Sequence, residues 1–230
     1  MPFHRPPQPL VRHQCRGVRR TRRILAGLTA SLAVSTIGAI GAAGGTAVAA
    51  RIGGDHHSRL VVERANAALA AHDTFSVAGT PGNFVAYLGA RDAAADAVAM
   101  EMGLDPAAVR AAWSRADLRH QEVVLAALTQ LGVAYHYASS EPGVAFDCSG
   151  LTAFAWGRAG VQLAHQSGSQ ISAAAGRDHD TALAGDLAQY PGHVMLYLGV
   201  GDAVVHASNP STDVELSFAP RSVRFGDPTG

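Results

Sequence analysis

"AFDCSGLTAF", residues 145–154, sets Cys148 between Asp147 and the small pair Ser149-Gly150. The other cysteine, Cys15, lies in a stretch with the layout of an export leader. Arg16 to Arg23 form a basic start, an uncharged run "ILAGLTASLAVSTIGAIGAAGGTAVAA" follows, and Ala47-Val48-Ala49 reads as a small-x-small cleavage signal. Residues 1–49 are therefore expected to be a signal peptide, with an apolar run long enough to act as a membrane anchor if it stays uncleaved. "RRTRRIL" loosely resembles a twin-arginine signal but lacks the aromatic residue that usually follows the pair. Once the leader is gone, Cys148 has no partner. A leftover cysteine in an exported chain means intermolecular pairing or a reactive thiol, against the plain alternative of a buried inert side chain.

The 230 residues suit one domain plus extras, and the 48% hydrophobic share supports a real core. A formal charge of zero hides an asymmetry. Seven of the 18 basic residues, all arginines, fall in the first fifty positions, which carry no acid; beyond them 11 arginines face 18 carboxylates. So acidic a body is a poor polyanion binder, which argues against nucleic acid as a partner. The lack of lysine and the abundance of alanine give the impression of a GC-rich bacterial source.

Working outward from Cys148, residues 148–156 read as a helix closed by Gly157 or Gly160. Upstream, "VAYHYASSEPGVAFD" is a strand-and-loop stretch; downstream, "HQSGSQISAAAGRDHDTALAGD" reads as a polar loop. "HVMLYLG" and "AVVHAS" then read as two strands joined by "GVGD", a hairpin signal. Before the cysteine, helical periods appear over 58–72, 91–102, 106–117 and 118–131, with Asp105 and Pro106 opening the third and Gly132 stopping the last. "VAGTPGN" reads as a break. The histidine pair His56-His57 sits in a short flexible start without further ligands at metal-site spacing. Helices first and strands later predict an α+β fold. The domains read as 1–49 leader, 50–117 helical segment of unknown role and 118–230 functional domain.

A nucleophilic cysteine needs a depressed pKa, a nearby base, and a group that orients the base. A place at a helix N-terminus favours thiolate, and Ser149 and Gly150 keep the entry small enough for a substrate carbonyl to reach backbone N–H groups. His193 and His206 lie on the two arms of the hairpin. A two-residue turn would make them direct cross-strand partners and a four-residue turn diagonal neighbours, within about 5–8 Å either way. One can serve as base and the other as its orienter. Zinc held by Cys148, His193 and His206 is the competing use of the same residues, but closely spaced ligand pairs and a recognisable metalloenzyme motif are both absent. No metal or cofactor is expected.

"LGVAYHYASSEPGVAFDCSGL" and "HVMLYLGVGDAVVHAS" together resemble the NlpC-type family of cell-wall cysteine peptidases, over about residues 118–219. The resemblance implies a reduced papain-like fold: a Cys-bearing helix packed on an antiparallel sheet, after a small helical segment. It implies cleavage of peptidoglycan stem peptides, commonly between a D-glutamyl residue and a diamino acid. On this resemblance Cys148 is the nucleophile, His193 the base and His206 the orienting member. Tyr135 falls on a tyrosine beside the thiol, while Asp147 and Ser149 fall on positions that receive the substrate's amino end. Ser167 and Gln170 match a Ser-x-x-Gln that serves loop structure. Three departures stand out. Ala138-Ser139 replace a Gly-Gly pair, Ala184-Gly185-Asp186 a Pro-Gly-Asp, and Ala164-His165 a Pro-Arg, which exchanges a fixed charge on the groove rim for a titratable group.

The function so implied is a secreted, cell-wall-associated peptidoglycan endopeptidase, touching the membrane only through an uncleaved leader. A papain-like acyltransferase or amidase uses the same trio. A silent wall-binding module would not need an activated thiol. Residues 51–117 are open to three readings: spacer, binding segment or self-inhibitor.

Overall fold

Strands β5 (Leu187–Tyr190), β6 (His193–Tyr197) and β7 (Ala203–Ala207) are buried almost throughout, because both faces of the sheet they form are covered. Alternation sorts their side chains. Leu187, Val194, Leu196, Ala203 and Val205 join the main core, while Ala188, Met195, Tyr197 and Val204 join a smaller cluster with Phe225. The computed structural model describes residues 56–230; the leader and Cys15 lie outside the described residues. The six-stranded antiparallel sheet runs β4-β9-β5-β6-β7-β8, with β4 (Ala175–Arg177), β8 (Val214–Phe218) and β9 (Arg224–Asp227) completing it. Two-residue strands β1 (Ala134–Tyr135), β2 (Ser140–Glu141) and β3 (Ala145–Phe146) form a second, small sheet. With the helices, this is the expected α+β architecture.

Helix α5 (Cys148–Arg158) packs on β6 and β7, with α4 (Leu118–Leu128) beside it. Before them, α1 (His56–Ala78), α2 (Pro81–Met102) and α3 (Pro106–Arg115) share the main core rather than building their own. Val61, Tyr87 and Trp113 lie in one cluster with Leu125, Leu151 and Leu196. Trp113 donates its indole N–H to the Leu198 carbonyl at 3.0 Å, tying α3 to the end of β6. The buried Tyr87 hydroxyl donates to Gln121 Oε1 at 2.7 Å, tying α2 to α4. Among the described residues no helix is long and apolar enough to cross a membrane.

Several boundaries differ from the sequence reading: α1, for one, takes in His56-His57, read as a flexible start, and runs on to Ala78. Helix α2 begins at Pro81, ten residues early, because Thr80-Pro81 in "VAGTPGN" is a cap and first helical position: Thr80 Oγ1 accepts the Asn83 N–H at 3.3 Å. Helix α4 ends at Leu128, and residues 129–131 turn before Gly132 takes φ +79°. The polar stretch read as loop contains α6 (Ser167–Ala173) and β4. Gln166 caps α6, and the buried Gln170 holds it by donating to the Ser149 and Ala164 carbonyls at 2.9 and 2.8 Å.

Candidate active site

Asp147 starts α5. Its Oδ1 accepts the Gly150 N–H at 2.7 Å as an N-cap, so Cys148 is the first residue of the helix, as expected. The same carboxylate accepts the Ser149 hydroxyl at 3.0 Å, His165 Nε2 at 3.0 Å and, through Oδ2, the Ala138 N–H at 2.8 Å. Burial works the other way, but the Gly150 N–H, His165 and Ser149 hold the carboxyl below the usual carboxylate range. Three of these donors sit on Oδ1 and one on Oδ2. Of the side chains that donate to it, His165, with 37% of its side chain exposed, is the one open to solvent.

Cys148 is free and half-buried, and opens into a groove of about 350 Å³ lined by Tyr135, Tyr137, Asp147, Ser149, His165 and Gly192, among others. Burial pushes the thiol above its ordinary range, and the negative charge of Asp147 adds to this. N–H groups of Val194, Ser149 and Cys148 itself pull the other way without prevailing. This corrects the expectation of a depressed thiol pKa: the helix start supplies its N–H groups, but desolvation is the larger effect. Burial also pushes His193 below the ordinary histidine range. Both shifts favour the neutral thiol–imidazole pair over the thiolate–imidazolium pair.

The hairpin closes through a four-residue turn, with Leu196 opposite Val205 and Tyr197 opposite Val204. That register makes His193 and His206 diagonal neighbours, the second of the two expected geometries. His193 Nε2 and His206 Nδ1 lie 2.7 Å apart with their rings nearly perpendicular at 78°. Both side chains are buried, and burial together with the neighbouring His193 pushes His206 down to about 4, so it is neutral near pH 7. The groups whose donor atoms converge closely enough for a metal, among the described residues, are His72-Asp73-Glu122 and His120-Asp186-Asp227. Cys148, His193 and His206 are in neither.

With this geometry in view, comparison with known proteins is specific. Residues 132–222 match the model of the NlpC/P60 family. These residues belong to the NlpC/P60 family. A probable endopeptidase of Corynebacterium glutamicum strain R is 35% identical over 130 residues, 53% of this chain and 61% of that protein. A probable endopeptidase of Mycobacterium tuberculosis strain H37Rv is 37% identical over 101 residues, 41% of this chain and 25% of that protein. The matches thus span between a quarter and three-fifths of these relatives' own lengths. Among solved structures, the P60 domain of an antigen from M. avium subspecies paratuberculosis is 27% identical with a TM-score of 0.44, covering 49% of this chain and 96% of that one. The NlpC/p60 domain of the peptidoglycan hydrolase SagA is 28% identical with a TM-score of 0.42, covering 46% and 97%.

Within the NlpC/P60 domain, Tyr135 lines the groove, and burial, then the nearby Cys148 and Asp147, raise its phenol above the ordinary range. Gly150 has a different use from the one expected. A Cβ there would lie 2.0 Å from the Ser139 carbonyl oxygen, so the missing side chain makes room for the chain's own loop rather than for substrate. Ala138, where the family has glycine, takes φ +59°, a left-handed conformation that disfavours a side chain. Tyr190 went unread in the sequence: its ring is 5.1 Å from that of His193, and burial followed by the charge of Cys148 raises its phenol. It pairs with His193 across β5 and β6, a contact set by register alone. Among the described residues none from α1–α3 lines the groove, so the structure gives no support to a self-inhibiting segment.

Proposed function

We propose that this protein is a peptidoglycan hydrolase, a cysteine endopeptidase that cuts stem peptides, with the D-glutamyl–diamino acid bond as the expected target. The observation that carries the reading is the buried 2.7 Å His193–His206 bond beside a groove into which an unpaired, helix-starting Cys148 opens. Cys148 is the nucleophile, His193 the base and His206 its orienter. His193 takes the thiol proton as sulfur bonds to the peptide carbonyl carbon, and the carbonyl electrons move onto oxygen near the N–H groups at the start of α5. Collapse expels the amine, which leaves with the proton from His193, and water then hydrolyses the thioester with His193 again as base. Tyr135 and Ser149 shape the groove; Asp147 holds the helix start and, through Oδ2, which among the described residues carries only the Ala138 N–H, can receive the substrate's amino end.

The N-terminal leader supports export to the cell wall. Helices α1–α3, which share the core of the peptidase domain, are proposed to be its scaffold. The test is mass spectrometry of muropeptides after incubating the protein with purified peptidoglycan, beside Cys148→Ala. New stem-peptide fragments that vanish in the variant are expected and would identify the bond. Intact stem peptides throughout, or an acyl group passed to another amine, would reject the endopeptidase reading.

A further inference from the structure

The relay from the thiol does not stop at His206. Its Nδ1 faces His193, but its Nε2 is shut off from solvent and, among the described residues, has no hydrogen-bond partner. A buried ring nitrogen left unpaired costs about 1–3 kcal/mol, so a partner is expected close by. Strand β8 supplies one. Glu215 is the direct cross-strand partner of His206, and its Oε1 lies 3.7 Å from Nε2. The Glu215 side chain is 40% exposed, so a small rotation of a free carboxylate closes the remaining gap.

We propose that Glu215 is a fourth, positioning residue of the Cys148–His193–His206 site, accepting the His206 Nε2–H and thereby fixing the tautomers of both rings. The chain of consequence is short. A neutral imidazole carries one N–H. With that proton on Nε2 of His206, facing the carboxylate, Nδ1 becomes an acceptor. It then receives the N–H of His193 Nε2, which leaves His193 Nδ1 without a proton and free to act as base. The opposite tautomer places the Nε2 lone pair of His206 against a carboxylate, and puts the only proton of His193 on the nitrogen needed as base. Glu215 touches neither thiol nor groove; it acts through His206. The analogous outer partner of a histidine ligand to a metal typically matters tenfold to a hundredfold.

The inference rests on the endopeptidase reading for its kinetic consequence, but not for its geometry. The experiment therefore has two arms. In ¹⁵N-histidine-labelled protein near pH 7.5, two-bond proton–nitrogen correlations read each tautomer, with His206 assigned by comparison with His206→Gln. A protonated Nε2 and bare Nδ1 on His206 are expected in the native protein, and a mixed or inverted pattern in Glu215→Ala. In kinetics, Glu215→Ala is expected to lose about tenfold to a hundredfold in kcat with KM nearly unchanged. Glu215→Gln, whose amide oxygen still accepts, should recover most of that loss. A native His206 protonated on Nδ1 overturns the proposal, and so does a Glu215→Ala with native tautomers. If the native protein cleaves no stem peptide, the endopeptidase reading fails and the tautomer pattern alone decides the role of Glu215.

Discussion

Replacing Gly150 by alanine separates two forces of opposite sign. Gly150 sits in the first turn of α5, where helix propensity alone favours alanine by up to about 1 kcal/mol. Packing opposes it. The added Cβ would meet the Ser139 carbonyl oxygen at 2.0 Å, with His165 Nε2 at 3.0 Å on its other side. The carbonyl must retreat by about 1 Å, since carbon–oxygen contacts closer than about 3 Å are not tolerated. It cannot do so freely: it accepts the Asp147 N–H at 2.9 Å, Ser139 Oγ donates to the Ala145 carbonyl at 3.0 Å, and the neighbouring Ala138 N–H is bound to Asp147. Overpacking costs about 1–3 kcal/mol and an orphaned buried N–H a further 1–3. Less the propensity gain of about 1 kcal/mol, Gly150→Ala should destabilise the protein by about 1–5 kcal/mol, a fall of roughly 2–20 °C in Tm for a chain of this size.

Gly157, in the same helix, is the internal control. A Cβ there meets only Gln162 Nε2, at 3.9 Å, so Gly157→Ala should stabilise by about 0.5–1 kcal/mol. Urea unfolding of both variants beside the native protein gives both signs from one assay. A Gly150→Ala as stable as the native protein would show that the loop 138–140 yields easily. The glycine would then have been kept open for substrate after all.

Other outcomes follow from the same contacts. Ala138→Gly relieves a φ of +59° and should raise stability by about 0.5–1 kcal/mol in thermal unfolding; a loss would mean the alanine methyl packs against the groove to some purpose. Alkylation of Cys148 by iodoacetamide should climb only above the ordinary thiol range, because burial raises its pKa, and a rate plateau near pH 6–7 would instead reveal a standing thiolate–imidazolium pair. The acid limb of kcat/KM should fall below about pH 6.5, since burial depresses His193 and the base is lost only when it protonates; a midpoint above 7 contradicts this. His120 is fully buried with Asp117 at 3.0 Å and Asp186 at 3.2 Å; burial pushes it down, but the hydrogen bonds it donates to Asp186 and Asp117 prevail and raise it. Its contribution is therefore whole below about pH 6.5 and lost as pH rises through the raised value, so His120→Ala should cost about 3–5 kcal/mol in urea unfolding at pH 6 and less at alkaline pH.

How much of this could be read in the chain depends on the range of the interaction. The helix start at Cys148 is a local event, written in Asp147 as cap, and it is found where "FDCSG" puts it. The hairpin is nearly local: "GVGD" marks the turn, and only its length, two residues or four, had to await the register. Tyr190 and Glu215 are invisible at that level. Each reaches the histidines through cross-strand pairing, and β8 has no spacing signal to say that residue 215 faces residue 206. Helices α1–α3 were legible as helices but not as part of the main core. Their buried faces are largely alanine, such as Ala65, Ala68, Ala94, Ala95 and Ala112, so the apolar stripe that shows where a helix docks is faint. The raised thiol was missed for a related reason. A helix N-terminus is a property of sequence, whereas desolvation is a property of everything packed around the sulfur.

The raised thiol and depressed histidine also bear on why an unpaired Cys148 can persist here. Thiolate, not thiol, is the species that oxidants and disulfides attack, and a lone thiolate in an oxidising space has no partner to restore it. Cys148 is half-buried, and both shifts keep its proton on sulfur until a base takes it. On the proposed mechanism, activation is then confined to the moment when a carbonyl lies against the sulfur and His193, held in one tautomer through His206, can accept the proton. On the proposed export to the cell wall, such a resting state protects the nucleophile from the compartment it works in. Loss of the relay and loss of the thiol should accordingly look different: Cys148→Ala removes both turnover and alkylation at position 148, whereas Glu215→Ala slows turnover while leaving the Cys148 sulfur as slow to alkylate near neutral pH as before.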